Sequence, residues 1–435
     1  MAVPFLISLA VVQLNVFADT FWVSKLGEKA VSGMTSAVPM YAAITSIGIG
    51  LSTGIVATIA YRIGQGDLRA AGRLAGNSII LALIIPVVVS IIVFVALDLL
   101  IDIMGAQDVS AEIHDYILPF LLMSPVTVMN SLFGGMLRSE GAANKSTLVQ
   151  MSSVGINMVV DPIFIFGLNM GVAGASTATV FSYMFGVCIS LNWYLRKRMK
   201  IKITRGDLRP RMPVIKELMG VGGPRMVEGF VNNTVILIQR IFIIMASGTV
   251  GVALFNVPFR FISLSMCPVE AMGMAAVPVI AANLGKRDVE KMRAAKRVVF
   301  KGALLISLSI VVILYLAAPL LIGVFTTEPT LYEWFDELTW NLKAYCIILP
   351  FFAVQAVCSS ILQSIKKSRL PMRITMIVGV FRMIVFWTAI PYGYQGITVA
   401  LILSYVLSCT LSIIAEEKYF GKSCDEVLHP ESEVS

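Results

Sequence analysis

Twelve apolar runs separated by short polar segments make up almost the whole of the 435-residue chain. They cover approximately residues 2–24, 32–60, 74–97, 115–137, 146–167, 172–195, 214–247, 251–283, 298–325, 339–363, 370–391 and 395–416. Each is long enough to cross the hydrocarbon core of a bilayer as a helix, which takes about 20 apolar residues. The pattern predicts an all-α polytopic membrane protein with twelve transmembrane helices.

The polar segments test that count, because Lys and Arg gather on the cytoplasmic side of a membrane. Arg62, Arg69 and Arg73 follow run two, Arg138 and Lys145 run four, and Lys366, Lys367, Arg369 and Arg373 run ten. The segments after runs six and eight are richer still, with Arg196, Lys197 and Arg198 opening one and Lys286 and Arg287 the other. The alternate segments are short or acidic, as at 102–115 and 328–337, or uncharged, as at 167–171 and 392–396. A wrong helix count would scramble this alternation, so both termini are expected to be cytoplasmic. Run one lacks the charged start and small-residue cleavage site of a signal peptide and is read as the first span. The chain begins almost inside it, so a short cytosolic leader is expected ahead of it.

Composition narrows the function. Apolar residues reach 57% and charged residues only 14%, against about 25% charged in a soluble domain; mean hydropathy is +0.85. The excess apolar surface must face lipid. The net charge of +8 does not point to nucleic acid, because the cations sit in loops between spans. Of the six cysteines, five lie inside apolar runs and none forms a C-x-x-C pair, which suits small buried hydrophobes. With only His114 and His429 there is no His-based metal or catalytic centre, and no cofactor is implied. An enzyme is therefore disfavoured.

The halves resemble each other. Arg62-Ile-Gly-Gln-Gly-Asp67-Leu after run two answers Asn283-Leu-Gly-Lys-Arg-Asp288-Val after run eight. Gly171-Val-Ala-Gly174 before run six answers Gly393-Tyr-Gln-Gly396 before run twelve. Six spans per half give both halves one orientation, hence two six-helix lobes related by a pseudo-two-fold along the membrane normal. The expected division is an N-lobe at 1–195, a basic cytoplasmic linker at 196–213, a C-lobe at 214–416 and a cytoplasmic tail at 417–435.

Ionisable groups inside a bilayer cost a few kcal/mol or more and are functional candidates. Asp19 lies in run one and Asp161 in run five, each four residues after an asparagine, Asn15 and Asn157. That spacing puts amide and carboxyl on one helix face. Such a pocket can load and release a proton or hold a cation with its oxygens; a structural hydrogen-bonded pair is the plainer alternative. Pro4 and Pro162 each remove a backbone hydrogen bond, and Pro162 frees the carbonyl of Met158 beside the pocket. In the second half Glu270 and Glu228 are the acid candidates. Arg260 and Arg382 are their expected salt-bridge partners, and Arg382 stands at the repeat position of Asp161.

These residues resemble the MATE (multidrug and toxic compound extrusion) transporters. The resemblance lies in Asp19-Thr-Phe-Trp-Val-Ser-Lys-Leu-Gly27, Leu137-Arg-Ser-Glu-Gly141, Asn157-x-x-x-Asp161-Pro-Ile-Phe and Gly171-Val-Ala-Gly-Ala-Ser-Thr-Ala-Thr179. It spans essentially the whole chain and is closest to the archaeal and DinF-like branch. It implies export of organic cations, amphipathic drugs or toxic metabolites in exchange for H⁺ or Na⁺, by alternating access between two lobes. No cofactor is implied; the partners are a small-molecule substrate and membrane lipids, the working unit a monomer in the cell membrane. The resemblance places the coupling site at Asp19, Asn157, Asp161 and Thr179, with Na⁺ held at Asp19, Asn157 and Asp161 if sodium is the ion. Pro4 matches a first-helix proline proposed to bend on protonation. A flippase for lipid-linked precursors or polysaccharides, from the same superfamily, is the alternative.

Overall fold

A computed structural model describes residues 2–325 and 333–428; Glu328 of the acidic segment after run nine, and the tail from 429 on, lie outside the described residues. Among the described residues there are twelve spans and no strand. They are α1 (Ala2–Ser24), α2 (Glu28–Gly64), α3 (Leu68–Val95), α4 (Ser110–Leu122 with Ser124–Ser139), α5 (Ala143–Pro162) and α6 (Gly171–Leu195). Then follow α7 (Met212–Gly248), α8 (Val250–Lys286), α9 (Val289–Phe325), α10 (Phe335–Cys346 with Ile348–Ser364), α11 (Arg369–Ala389) and α12 (Gly393–Leu428). Val95, Leu316 and Leu320 are 74–78% exposed, which only lipid explains for side chains of this kind.

Prolines shape the spans as their chemistry dictates. α4 bends by 57° at Met123, between Pro119 and Pro125. Proline cannot donate to the preceding turn, so the ladder opens there. α5 passes at Pro162 into a single π turn, Ile163–Gly167, the usual result of an interrupted ladder.

Two compact units divide the chain inside α7, Val3–Phe230 and the part from Val231 onward. In the first unit, glycines let helices touch backbone to backbone. A Cβ on Gly54 of α2 would lie 2.9 Å from the Cα of Gly222 in α7. Each unit reuses the same backbone punctuation: positive-φ residues stand at helix boundaries at Gly27, Gly66, Gly141 and Gly171, and again at Gly248, Arg287, Lys366 and Gly393. The partners of each pair stand about 220 residues apart, as a duplicated half requires.

The basic segment 196–213 is an ordered strap on the first unit. Its start is caught by Glu140, whose carboxylate accepts from the Lys200 amide (2.6 Å), the Ile201 amide (3.3 Å) and the Tyr194 hydroxyl (2.8 Å). Its end is caught by Asn77 of α3, fully buried. The Asn77 amide donates to the carbonyls of Asp207 and Arg209 (3.1 and 3.3 Å), and its oxygen accepts from the Arg211 amide (2.8 Å). Between these anchors a 3₁₀ turn, Arg205–Leu208, is closed by Thr204 and Asp207. A side chain on Gly76 would collide with the carbonyl of Asp207, so only glycine admits the strap there.

Candidate functional site

The four-residue spacing does what helix geometry requires. The Asn15 amide donates to Asp19 Oδ2 at 3.1 Å on α1, and the Asn157 amide donates to Asp161 Oδ1 at 2.9 Å on α5. Asn157 also reaches Thr179 Oγ1 of α6 at 3.4 Å. Asp161 is fully buried, Asn157, Thr179 and Asn15 nearly so. The Asp19 and Asp161 carboxyl groups are close neighbours in the pocket, each acting on the other. Acceptors cannot bond to acceptors, so this contact needs a proton or a cation between them. Four buried oxygens here have no donor: Asn15 Oδ1, Asp19 Oδ1, Asn157 Oδ1 and Asp161 Oδ2. Two carboxylate and two amide oxygens suit a proton or a hard monovalent cation, in a setting where an unpaired acceptor is otherwise costly.

Three tyrosines escaped the sequence reading. Tyr41, Tyr116 and Tyr183 are buried or half-buried in the same unit; the Tyr41 and Tyr183 hydroxyls lie 3.4 Å apart, and the Tyr41 and Tyr116 rings both pack on Phe120. A signal for one was available: Tyr183 stands twelve residues after Gly171, as Tyr405 stands twelve after Gly393. Pro4 lies in the first described turn of an unbroken α1, its carbonyl accepting from Thr147 at 2.7 Å. Pro162 marks the π turn next to Asp161.

One of the second-half acids takes a nearer cation than the two expected. Glu228 is buried and pairs at 3.1 Å with Arg225, one turn away on α7, rather than with Arg260 or Arg382. Glu270 and Arg260 are both exposed on α8. Arg382 is buried, with its guanidinium 5.1 Å from the ring centre of Tyr405.

The family model for MatE matches residues 4–163 and 224–388, well over half the chain and both halves of it. The chain belongs to the MATE family. Among relatives of this MATE protein is a FAD transporter of Shewanella oneidensis, 26% identical over 360 residues, covering 80% of this chain and 77% of the relative. Another is a probable multidrug resistance protein, NorM, of Thermotoga maritima, 26% identical over 407 residues, covering 91% and 86%. In structure it resembles a MOP superfamily transporter of Pyrococcus furiosus described as having a binding pocket of reverse polarity. That match has a TM-score of 0.92 and 26% identity, over 98% of this chain and 95% of the other. As a MATE protein the chain is a multi-pass membrane protein of twelve spanning helices, from a family of transporters and not of enzymes.

Proposed function

We propose that this MATE protein exports organic cations and other amphipathic compounds, drugs or toxic metabolites, in exchange for H⁺ or Na⁺. The ion occupies the pocket of Asp19, Asp161, Asn157, Asn15 and Thr179. One observation carries the reading: two carboxyl groups meet inside the membrane among buried acceptor oxygens that have no donor. A proton between the carboxyls, or Na⁺ among the oxygens, completes the pocket, and its loss leaves two like charges side by side. The cost of that empty state is what couples the ion to the rest of the cycle. The π turn beside Asp161 is the place where such a change can bend a helix.

In this reading residues 1–195 and 214–416 are the two moving lobes of an alternating-access cycle. Both termini are cytoplasmic, the protein resides in the cell membrane as a monomer among lipids, and no cofactor takes part. Buried Arg382 favours one other reading, a flippase for lipid-linked precursors of the same superfamily.

The test is efflux of a fluorescent organic cation from proteoliposomes under a pH gradient or a Na⁺ gradient imposed separately, wild type against Asp19→Asn. Efflux driven by one gradient and lost in Asp19→Asn supports the exchange and names the ion. Normal efflux by the mutant at every pH sinks the proposed pocket, and no efflux under either gradient turns the reading to the flippase.

A further inference from the structure

The second unit contains a position-by-position counterpart of the acid pocket, and its charge is reversed. Burial sets the register. Asn157 and Asp161 on α5 correspond to Val378 and Arg382 on α11, each the inward position of its turn. Asn15 and Val23 on α1 correspond to Val235 and Ile243 on α7, which puts Gln239 where the first unit has Asp19. Tyr183 corresponds to Tyr405.

Contacts inside the second unit place these residues at one level. A Cβ on Gly379 would lie 2.9 Å from Val235 Cγ2, and the Phe242 ring is 6.4 Å from those of Phe386 and Trp387. These pairs advance together along α7 and α11, so the helices run parallel, and Gln239 stands level with Arg382 between the two contacts. Arg382 is 8% exposed, Gln239 7%. Arg382 Nε has no hydrogen-bond partner, and among the described residues no carboxylate pairs with the guanidinium. Tyr405 covers one face of the guanidinium, which leaves the planar edge, with its fixed fork of donors, to a ligand.

A buried arginine without a counter-charge is expensive in a membrane and persists where an anion uses it. We propose that Arg382, flanked by Gln239 and Tyr405, forms an anion subsite in the second unit that binds a phosphate or carboxylate group of the exported compound. The substrates of this protein then include amphipathic organic anions or zwitterions. This rests on the export reading above for the origin of the anion, while the site itself is tested by binding alone.

FMN and riboflavin differ by one phosphate and are the probes. Their equilibrium binding to the detergent-purified full chain is followed by flavin fluorescence anisotropy. The wild type binds FMN about tenfold or more tighter, as a charge-assisted guanidinium–phosphate pair requires. Arg382→Gln removes that preference while riboflavin binding stays. Arg382→Lys, which keeps the charge and so guards against misfolding, retains part of it. No preference in the wild type, or an unchanged one in Arg382→Gln, overturns the proposal. A preference abolished by phosphatidylglycerol in the micelles but not by phosphatidylcholine overturns the substrate assignment in favour of a lipid headgroup. An intact, Arg382-dependent preference in a protein that shows no gradient-driven efflux would count against ion exchange and for the anion subsite, so the two failures are distinguishable.

Discussion

Asp161 on α5 and Arg382 on α11 occupy the same inward position of the same helix in two copies of one six-span half. Around Asp161 the chain supplies a second carboxyl and two amides; beside Arg382 it supplies an aromatic face. The two halves share one scaffold, and a few residues on matching helix faces carry an acid in one and a base in the other. Architecture here is held by glycines, prolines and apolar faces, and chemistry by a few side chains that the architecture tolerates in either sign.

The sharpest test of the contrast is Asp161→Asn. It keeps the shape of the pocket and the bond from Asn157 but removes the charge, and it abolishes gradient-driven efflux in proteoliposomes; full efflux would mean that Asp19 works alone. Next is Arg382→Gln, which leaves gradient-driven efflux of an organic cation running while it erases the preference for FMN. Equal loss of both in that variant would mean that the units act as one pocket. Smaller effects concern the strap, anchored at Glu140 where the equivalent point after α10 has Ile365. Asn77→Ala removes the side chain that holds the strap's end and costs about 1–3 kcal/mol. Faster trypsin cleavage after Arg205 and Arg211 reads this out, and unchanged cleavage rates would mean that Asn77 holds nothing.

The smallest effect is a pH slope. Burial pushes the Glu140 carboxyl above its ordinary range, outweighing the Tyr194 hydroxyl and the Ile201 and Lys200 amides that favour the charged form. The folded state therefore holds that proton at pH values where the unfolded chain has released it. Stability from this group is present below the ordinary carboxylate range and is lost as pH rises through the folded value. Glu140→Gln flattens that slope in thermal unfolding of the purified protein; an identical slope in the variant would remove Glu140 from the account.

Much of this was legible in the residues themselves. Twelve apolar runs became twelve spans because lipid leaves the backbone no alternative to the helix. Asn15-x-x-x-Asp19 and Asn157-x-x-x-Asp161 became hydrogen-bonded pairs because four residues make about one turn. Where the reading fell short, the cause was long-range. Run two stopped at residue 60 while α2 continues to Gly64, since helices outlast the apolar stretch once they reach water. Glu228 found its cation three residues away, where sequence offered more distant ones. The strap on Asn77 and Glu140 depends on contacts between residues about 60 to 130 apart, and no local pattern reports those.

The positive-φ residues at the helix boundaries carry one more consequence. On the side read as external they are Gly27, Gly105, Asn169, Gly171, Gly248 and Gly393; on the side read as cytoplasmic they are Gly66, Gly141, Lys197, Arg287 and Lys366. Glycine would sit in any of these turns with less strain, by about 1 kcal/mol or more. Three of the inner turns instead hold a cation, which complements the negative end of the helix it terminates and is hard to drag across a bilayer. The residue that finishes such a helix then serves two ends at once, the turn of the backbone and the charge of the loop.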